Sequence, residues 1–244
     1  MLIGLEVELE GDRLDDYRLM YWDIVDEGSL RGGVELISSI PYNDDKVRHS
    51  LAEIDTLVEN KPYITAGERC SIHCHLDMRS LSPKRRVIGI LNYLLLEKEL
   101  YRISGDRIES EFAIPLADNS YFKKGLSRCI PYPSRKELPI TSKYQGLNTQ
   151  PILSLGSIEI RIHEGTLDTG RIYKWINLLK RLWDGKLVQR RTTRDYLLYL
   201  ANHSISVATE ILQGEGSTHP ILNVDVIAEI LYLSRVKDLQ TYSQ

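Results

Sequence analysis

Ser157-Ile-Glu-Ile-Arg-Ile-His163 is the stretch on which the reading of this chain turns. Isoleucine takes every second position, so a strand here buries one apolar face and presents Glu159, Arg161 and His163 on the other. Three more segments repeat the design. Gly4-Leu-Glu-Val-Glu-Leu-Glu10 sets Glu6, Glu8 and Glu10 against Leu5, Val7 and Leu9. Gly33-Val-Glu-Leu-Ile37 projects Glu35. Ser71-Ile-His-Cys-His-Leu-Asp77 sets His73, His75 and Asp77 against Ile72, Cys74 and Leu76.

Any one of these polar faces is explained by a sheet with one side in water. The four together are not. A solvated face mixes Lys, Thr, Ser and Gln, whereas these carry almost only carboxylates, imidazoles and one guanidinium. Adjacent carboxylates on an exposed face repel each other to no purpose. A shared divalent cation relieves that repulsion, so the joint pattern predicts a site.

The chain has 244 residues, 42% hydrophobic and 27% charged, with a formal net charge of −3. That is the composition of an ordinary globular protein with enough length for a substantial core. The balance carries no basic signature for nucleic acid or an anionic membrane surface. The longest apolar run, near Ile88 to Leu96, is short and interrupted by Asn92, so no membrane span is expected. The N-terminal strand starts almost at once, without a signal-type lead-in, and a cytoplasmic location is the expectation. Of the three cysteines, Cys70 and Cys74 flank the two histidines and suggest zinc. In a strand, however, Cys74 points away from His73 and His75, and reduced thiols are the simpler expectation.

Strands are expected at about 2–10, 33–40, 70–77 and 156–163, with a charged loop after the first and an ambiguous segment from Met20 to Val25. A helix capped by Asp44 or Asp45 runs to about Asn60, its stripe being Val47, Leu51, Ile54, Leu57 and Val58. Ser82-Pro83 starts a long helix reaching about Ile103. Residues 105–150 read as loop-dominated. Gly165-Thr-Leu-Asp168 leads into a helix with the stripe Ile172, Trp175, Ile176, Leu179 and Leu182, and helices at about 193–213 and 224–236 follow. Strands carry the chemistry and helices back them, which predicts an α+β fold with an open polar sheet face.

These blocks resemble the amidoligases, a family of glutamine synthetase-like carboxylate–amine ligases related to glutamate–cysteine ligase. The resemblance rests on Gly4-Leu-Glu-Val-Glu8, Asp26-Glu-Gly-Ser-Leu30, Gly33-Val-Glu-Leu-Ile-Ser38, Ile72-His-Cys-His-Leu76, Lys143-Tyr-Gln-Gly-Leu-Asn148 and Ile158-Glu-Ile-Arg-Ile-His-Glu-Gly-Thr-Leu-Asp168, in that order. It spans roughly residues 3 to 180. It implies a curved, mostly antiparallel sheet of the glutamine synthetase catalytic-domain type, with helices on the convex face. Residues 1–185 would form the catalytic domain, and 186–244 a helical extension packed on it. The implied cofactors are ATP and Mg²⁺, with Mn²⁺ admissible. Glu6, Glu8, Glu35, His73 and Glu159 would be metal ligands. His75, Arg161 and Lys143 would contact the nucleotide, and Arg161, Glu159 and Glu6 would carry catalysis. Glu10, Asp77 and His163 share the face without an assigned task. The implied substrates are a carboxylate and an amine, such as a peptide or cell-wall precursor. The chain could act alone or as an oligomer.

Two rival readings use the same residues. A metal-dependent hydrolase or phosphatase could be built on His73, His75 and the glutamates. A non-catalytic nucleotide-binding relative would keep the sheet alone. Among other basic residues, Lys84-Arg85-Arg86 reads as a solvated first helical turn or an anion contact. Lys123, Lys124 and Arg128 read as solvated or as a docking point for an acidic ligand, and Arg190, Arg191 and Arg194 as surface. Tyr144 and Asn148 should line or brace the site.

Overall fold

The computed structural model describes residues 1–11, 18–30, 32–105, 107–184, 192–217 and 219–241, with side chains through residue 234. The charged loop after the first strand lies partly outside the described residues. Arg190, Arg191 and the boundary at 185/186 lie wholly outside them.

The described residues form an α+β fold. Six strands, β1 (Ile3–Glu10), β2 (Trp22–Asp26), β3 (Gly33–Ser38), β4 (Ser71–Asp77), β5 (Leu147–Asn148) and β6 (Ser157–Glu164), make one sheet in the order β2-β3-β1-β4-β6-β5. All neighbouring pairs are antiparallel. The four alternating segments of the sequence are its central strands. The ambiguous segment after Met20 becomes the edge strand β2.

Alternation assigns the two faces. Leu5, Val7, Leu36, Ile72, Cys74, Leu76, Ile158 and Ile160 are wholly buried and belong to the hydrophobic core. Against them packs a layer built on α2 (Pro83–Ser104) and α4 (Thr169–Leu182). Ser82 caps α2 by accepting from the Arg85 N–H, and Gly105 ends it with φ 107°, a left-handed conformation that only glycine takes without strain. Asp168 caps α4 through the Arg171 N–H. Both agree with the sequence reading. Helix α1 (Asp44–Asn60) is capped one residue earlier than expected, by Asn43.

The stretch 105–150 holds more order than its composition suggests. Asn119 accepts from the Phe122 N–H and starts α3 (Ser120–Cys129), which buries Phe122, Leu126 and Cys129. The expected helix at 193–213 breaks at His203 into α5 (Thr193–Asn202) and α6 (Ser204–Ile211). These and α7 (Val224–Thr241) share the core of the rest. Tyr196 Oη donates to Asn92 Oδ1 of α2 at 2.6 Å, so the asparagine that interrupts the apolar run is a helix-to-helix contact. Lys123, expected as solvated or ligand-docking, pairs with Glu229 at 2.6 Å and ties α3 to α7. Arg85 and Arg86 donate to the backbone carbonyls of Trp183, Met78 and Leu81, and Arg194 is exposed. Among the described residues no helix is long and apolar enough to cross a membrane.

Candidate metal and phosphate site

Register turns four separate alternations into one cluster. Glu6 stands across from His73 and Glu8 across from Glu35, while His75 stands across from Glu159. Cross-strand neighbours lie about 5 Å apart at Cβ, so four carboxylates and two imidazoles are forced together on the face opposite the helices. They line a cleft of about 800 Å³ with Lys143, Arg161, Arg107 and the aromatic rings of Phe112 and Tyr144.

His73 is the hub. Its Nδ1 lies 2.8 Å from Glu6 Oε2, 3.6 Å from Glu159 Oε1 and 3.8 Å from Glu35 Oε1. Ser71 Oγ bridges Glu8 Oε2 at 2.7 Å and His73 Nε2 at 2.8 Å. Glu6 also reaches His75 Nε2 at 3.0 Å. Glu159 accepts from Asn148 Nδ2 at 2.7 Å and Arg161 Nη1 at 3.1 Å. Arg161 is itself fixed by donating to the carbonyls of Phe112 at 2.9 Å and Lys143 at 3.0 Å. A guanidinium held at three points has little side-chain entropy left to lose on meeting an anion.

The electrostatics are those of a crowded anionic site. Burial pushes Glu35 up to about 8, with the charges of Glu6, Glu8 and Glu27 adding to it. Burial acts on Glu6 in the same sense, but hydrogen bonds from His73 and His75 outweigh it and hold this carboxyl well below the usual range. Burial opposes protonation of His75, whereas its hydrogen bond to Glu6 and the charges of Glu6 and Glu159 raise its affinity for a proton above normal. A proton on Glu35 therefore relieves the repulsion, and a divalent cation would do the same more completely.

Among the described residues, two trios could hold an ion. One ligand atom each from Glu6, His73 and Glu159 lie within 4.8 Å of one another, and so do atoms from Glu8, Glu35 and His73. The five residues that the resemblance implies as ligands are thus brought together. Lys143, His75 and Arg161 line the same cleft, and Tyr144 and Asn148 stand beside it as expected.

Three residues of the polar alternation go elsewhere. Ile72 pairs with His163 and Cys74 with Ile160, so Arg161 and Ile162 together face the single residue His73. This β-bulge sets His163 across from the core-facing Ile72. His163, expected on the site face, instead packs on the core side against Trp175 at 5.2 Å between ring centroids, 1% exposed. Burial there pulls it down to about 4. Asp77 is forked by Arg79 through Nε at 2.9 Å and Nη2 at 3.0 Å, beyond the cleft. Glu10 pairs by backbone with Gly33 and Thr65 at the far end of β1.

Some cleft residues escaped the sequence reading. Ser71 sits two places before His73, where alternation alone could have found it. Glu27 and Ser29 lie within a block already noted but are set by a turn. Arg69 donates to the Ser29 carbonyl, and Arg107 to the His163 carbonyl at 3.3 Å. Both come from loops, where no period marks direction. Neither a protein-family model nor a curated protein matches the chain. What the fold and the site define is an α+β protein with an acidic, histidine-centred cleft rimmed by cations.

Proposed function

We propose that this chain is an ATP- and Mg²⁺-dependent carboxylate–amine ligase of the glutamine synthetase-like type, similar to the amidoligases. The observation that carries this reading is the pair of ligand trios sharing His73, set beside Arg161, Arg107 and Lys143 in one cleft. Adjoining acidic and basic zones suit a metal–polyphosphate group, whose cation needs oxygen ligands and whose phosphates need fixed positive charge.

Glu6, Glu8, Glu35 and Glu159 with His73 would hold Mg²⁺. The donors fit: carboxylate oxygens outnumber the one nitrogen, and the proton held by Glu35 up to about 8 marks a place where positive charge is wanted. When bound, Mg²⁺ would offset the charge of the nucleotide phosphates. Arg161, fixed by the carbonyls of Phe112 and Lys143, would meet the γ-phosphate as a planar clamp. Arg107 and Lys143 would add charge at its flanks. His75 would stay oriented by Glu6 and by Ser157 Oγ, 3.3 Å from its Nδ1.

The chemistry follows from the poor reactivity of a carboxylate. Its oxygen attacks the γ-phosphorus while the bond to ADP breaks, giving an acyl phosphate. A neutral amine then attacks the carbonyl, the C–N bond forms, inorganic phosphate leaves and the amine proton passes to solvent. The test is phosphate release from ATP with Mg²⁺ and pooled carboxylates and amines. Release that depends on both pools and disappears in Glu159→Ala supports the reading; release no greater than that variant's counts against it. The rival hydrolase predicts instead that zinc- or iron-loaded protein cleaves phosphoesters with no ATP present.

A further inference from the structure

Glu6 and His75 have a second side. Beyond them, away from the acidic cleft, the sheet carries another pocket of about 440 Å³, within the range of roughly 300–1,000 Å³ that suits small ligands. Its floor is Gly4. This residue takes the site-face place on β1 next to Glu6 and stands directly across from His75. Gly4 lies within regular strand and is not one of the positive-φ glycines, so conformational freedom does not explain it. Space does. A Cβ here would lie 3.1 Å from His75 Cβ and 3.6 Å from Ser38 Oγ, and any longer side chain would stand in the pocket.

The pocket is graded in character from one end to the other. Glu6 closes the inner end with negative charge. Ile37, Ile40 and Leu155 make apolar walls, the last two 52% and 60% exposed although they are large hydrophobic side chains. Arg79 stands at the mouth, its side chain 60% exposed. It grips Asp77 through Nε and Nη2, which leaves Nη1 without a hydrogen-bond partner among the described residues.

From this grading we infer that the pocket takes the amine substrate, as an apolar amino acid or dipeptide. Its amino group meets Glu6 and His75, its side chain lies on Ile37, Ile40 and Leu155, and its carboxylate meets Arg79. The inference rests on the ligase reading, because it makes the wall between the two pockets the place where amine and activated acid meet.

The test is calorimetry on the full chain with Mg²⁺ and a non-hydrolysable ATP analogue. The probes are L-alanyl-L-leucine, its C-terminal amide and its N-acetyl derivative. The free dipeptide should bind, and loss of either charged end should weaken it roughly tenfold. Arg79→Gln should weaken the free dipeptide by the same factor and leave the amide unchanged. Gly4→Val should block the dipeptide while nucleotide binding persists, since Gly4 does not line the acidic cleft. Arg79 is a surface residue, so its variant decides the matter even if Gly4→Val fails to fold. Equal binding of all three probes, no binding of the dipeptide, or an indifferent Arg79→Gln would overturn the inference. Failure of the nucleotide analogue to bind counts against the ligase reading itself, and the dipeptide titration without nucleotide still reads the pocket.

Discussion

Glu97 and Glu35 are both carboxyls withdrawn from water, one in the helical layer and one in the cleft, and their surroundings differ in kind. Glu97, 1% exposed, accepts from the Leu116 N–H at 2.6 Å and the Ala117 N–H at 2.7 Å. Burial pushes it up to about 7 in spite of those bonds. Its neighbour Glu99 accepts from Arg102 at 2.5 Å, Ser217 at 2.6 Å and the Ile221 N–H at 3.1 Å. Glu35 faces Glu6, Glu8 and Glu27 instead. Glu97 and Glu99 each have two or more donors of their own, whereas the four cleft carboxyls have one neutral donor on Glu8, from Ser71, and one on Glu159, from Asn148, and otherwise share two imidazoles and one guanidinium. The first arrangement is complete as it stands. The second leaves positive charge wanting, which is the mark of a binding site rather than of a structural network.

This contrast is easiest to break at the cleft. Replacing Glu159 or Glu6 by Ala should lower ATP-dependent phosphate release by about 10³-fold, with circular dichroism and the unfolding midpoint little changed. A variant that loses its fold instead would move Glu159 to the structural side of the comparison.

Histidines provide the next test. His163 titrates near 6.5 when unfolded and at about 4 in the core. Between those values the unfolded chain binds more protons, so its contribution is complete above pH 6.5 and is lost as the pH falls to 4. The difference is worth about 3 kcal/mol. Urea titrations from pH 7 to 4 should show the decline, and His163→Phe should flatten it. An unchanged slope would mean that the imidazole is not held neutral against Trp175.

Glu97→Ala should cost about 2 kcal/mol, because it orphans two buried backbone N–H groups, read as a lower urea midpoint. Glu35→Gln should do the opposite in metal-free protein. Glu35 has its folded value raised, so its contribution is complete below pH 4.5 and is lost as the pH rises through 8. At pH 8 the variant should therefore be the more stable, by only about 1 kcal/mol since the open cleft screens the repulsion. It should also bind Mg²⁺ more weakly, which equilibrium dialysis would show. Tighter Mg²⁺ binding by the variant would remove Glu35 from the ligand set.

Much of this was legible along the chain because strand geometry is local. Period two placed Glu6, Glu8, Glu35, His73, His75 and Glu159 opposite the core-facing Leu, Val and Ile without knowledge of strand order. Ser82-Pro83 and Asp168 marked their helix starts because capping involves only the next three residues. The failures have a common cause. Alternation puts His163 on the site face because a bulge depends on the partner strand, and nothing along the chain marks Arg107 because a loop has no period. Lys123 looked solvated because Glu229 is remote in sequence.

The chain by itself determined which side chains leave the core, since alternation follows from the pleat of the backbone. Tertiary structure decided which of them meet. Register set Glu8 opposite Glu35 and Glu6 opposite His73. One extra residue in β6, beyond Ile160, turned His163 into the core. Pairing between strands is a long-range choice fixed by the packing of the whole apolar face, and no local pattern contains it.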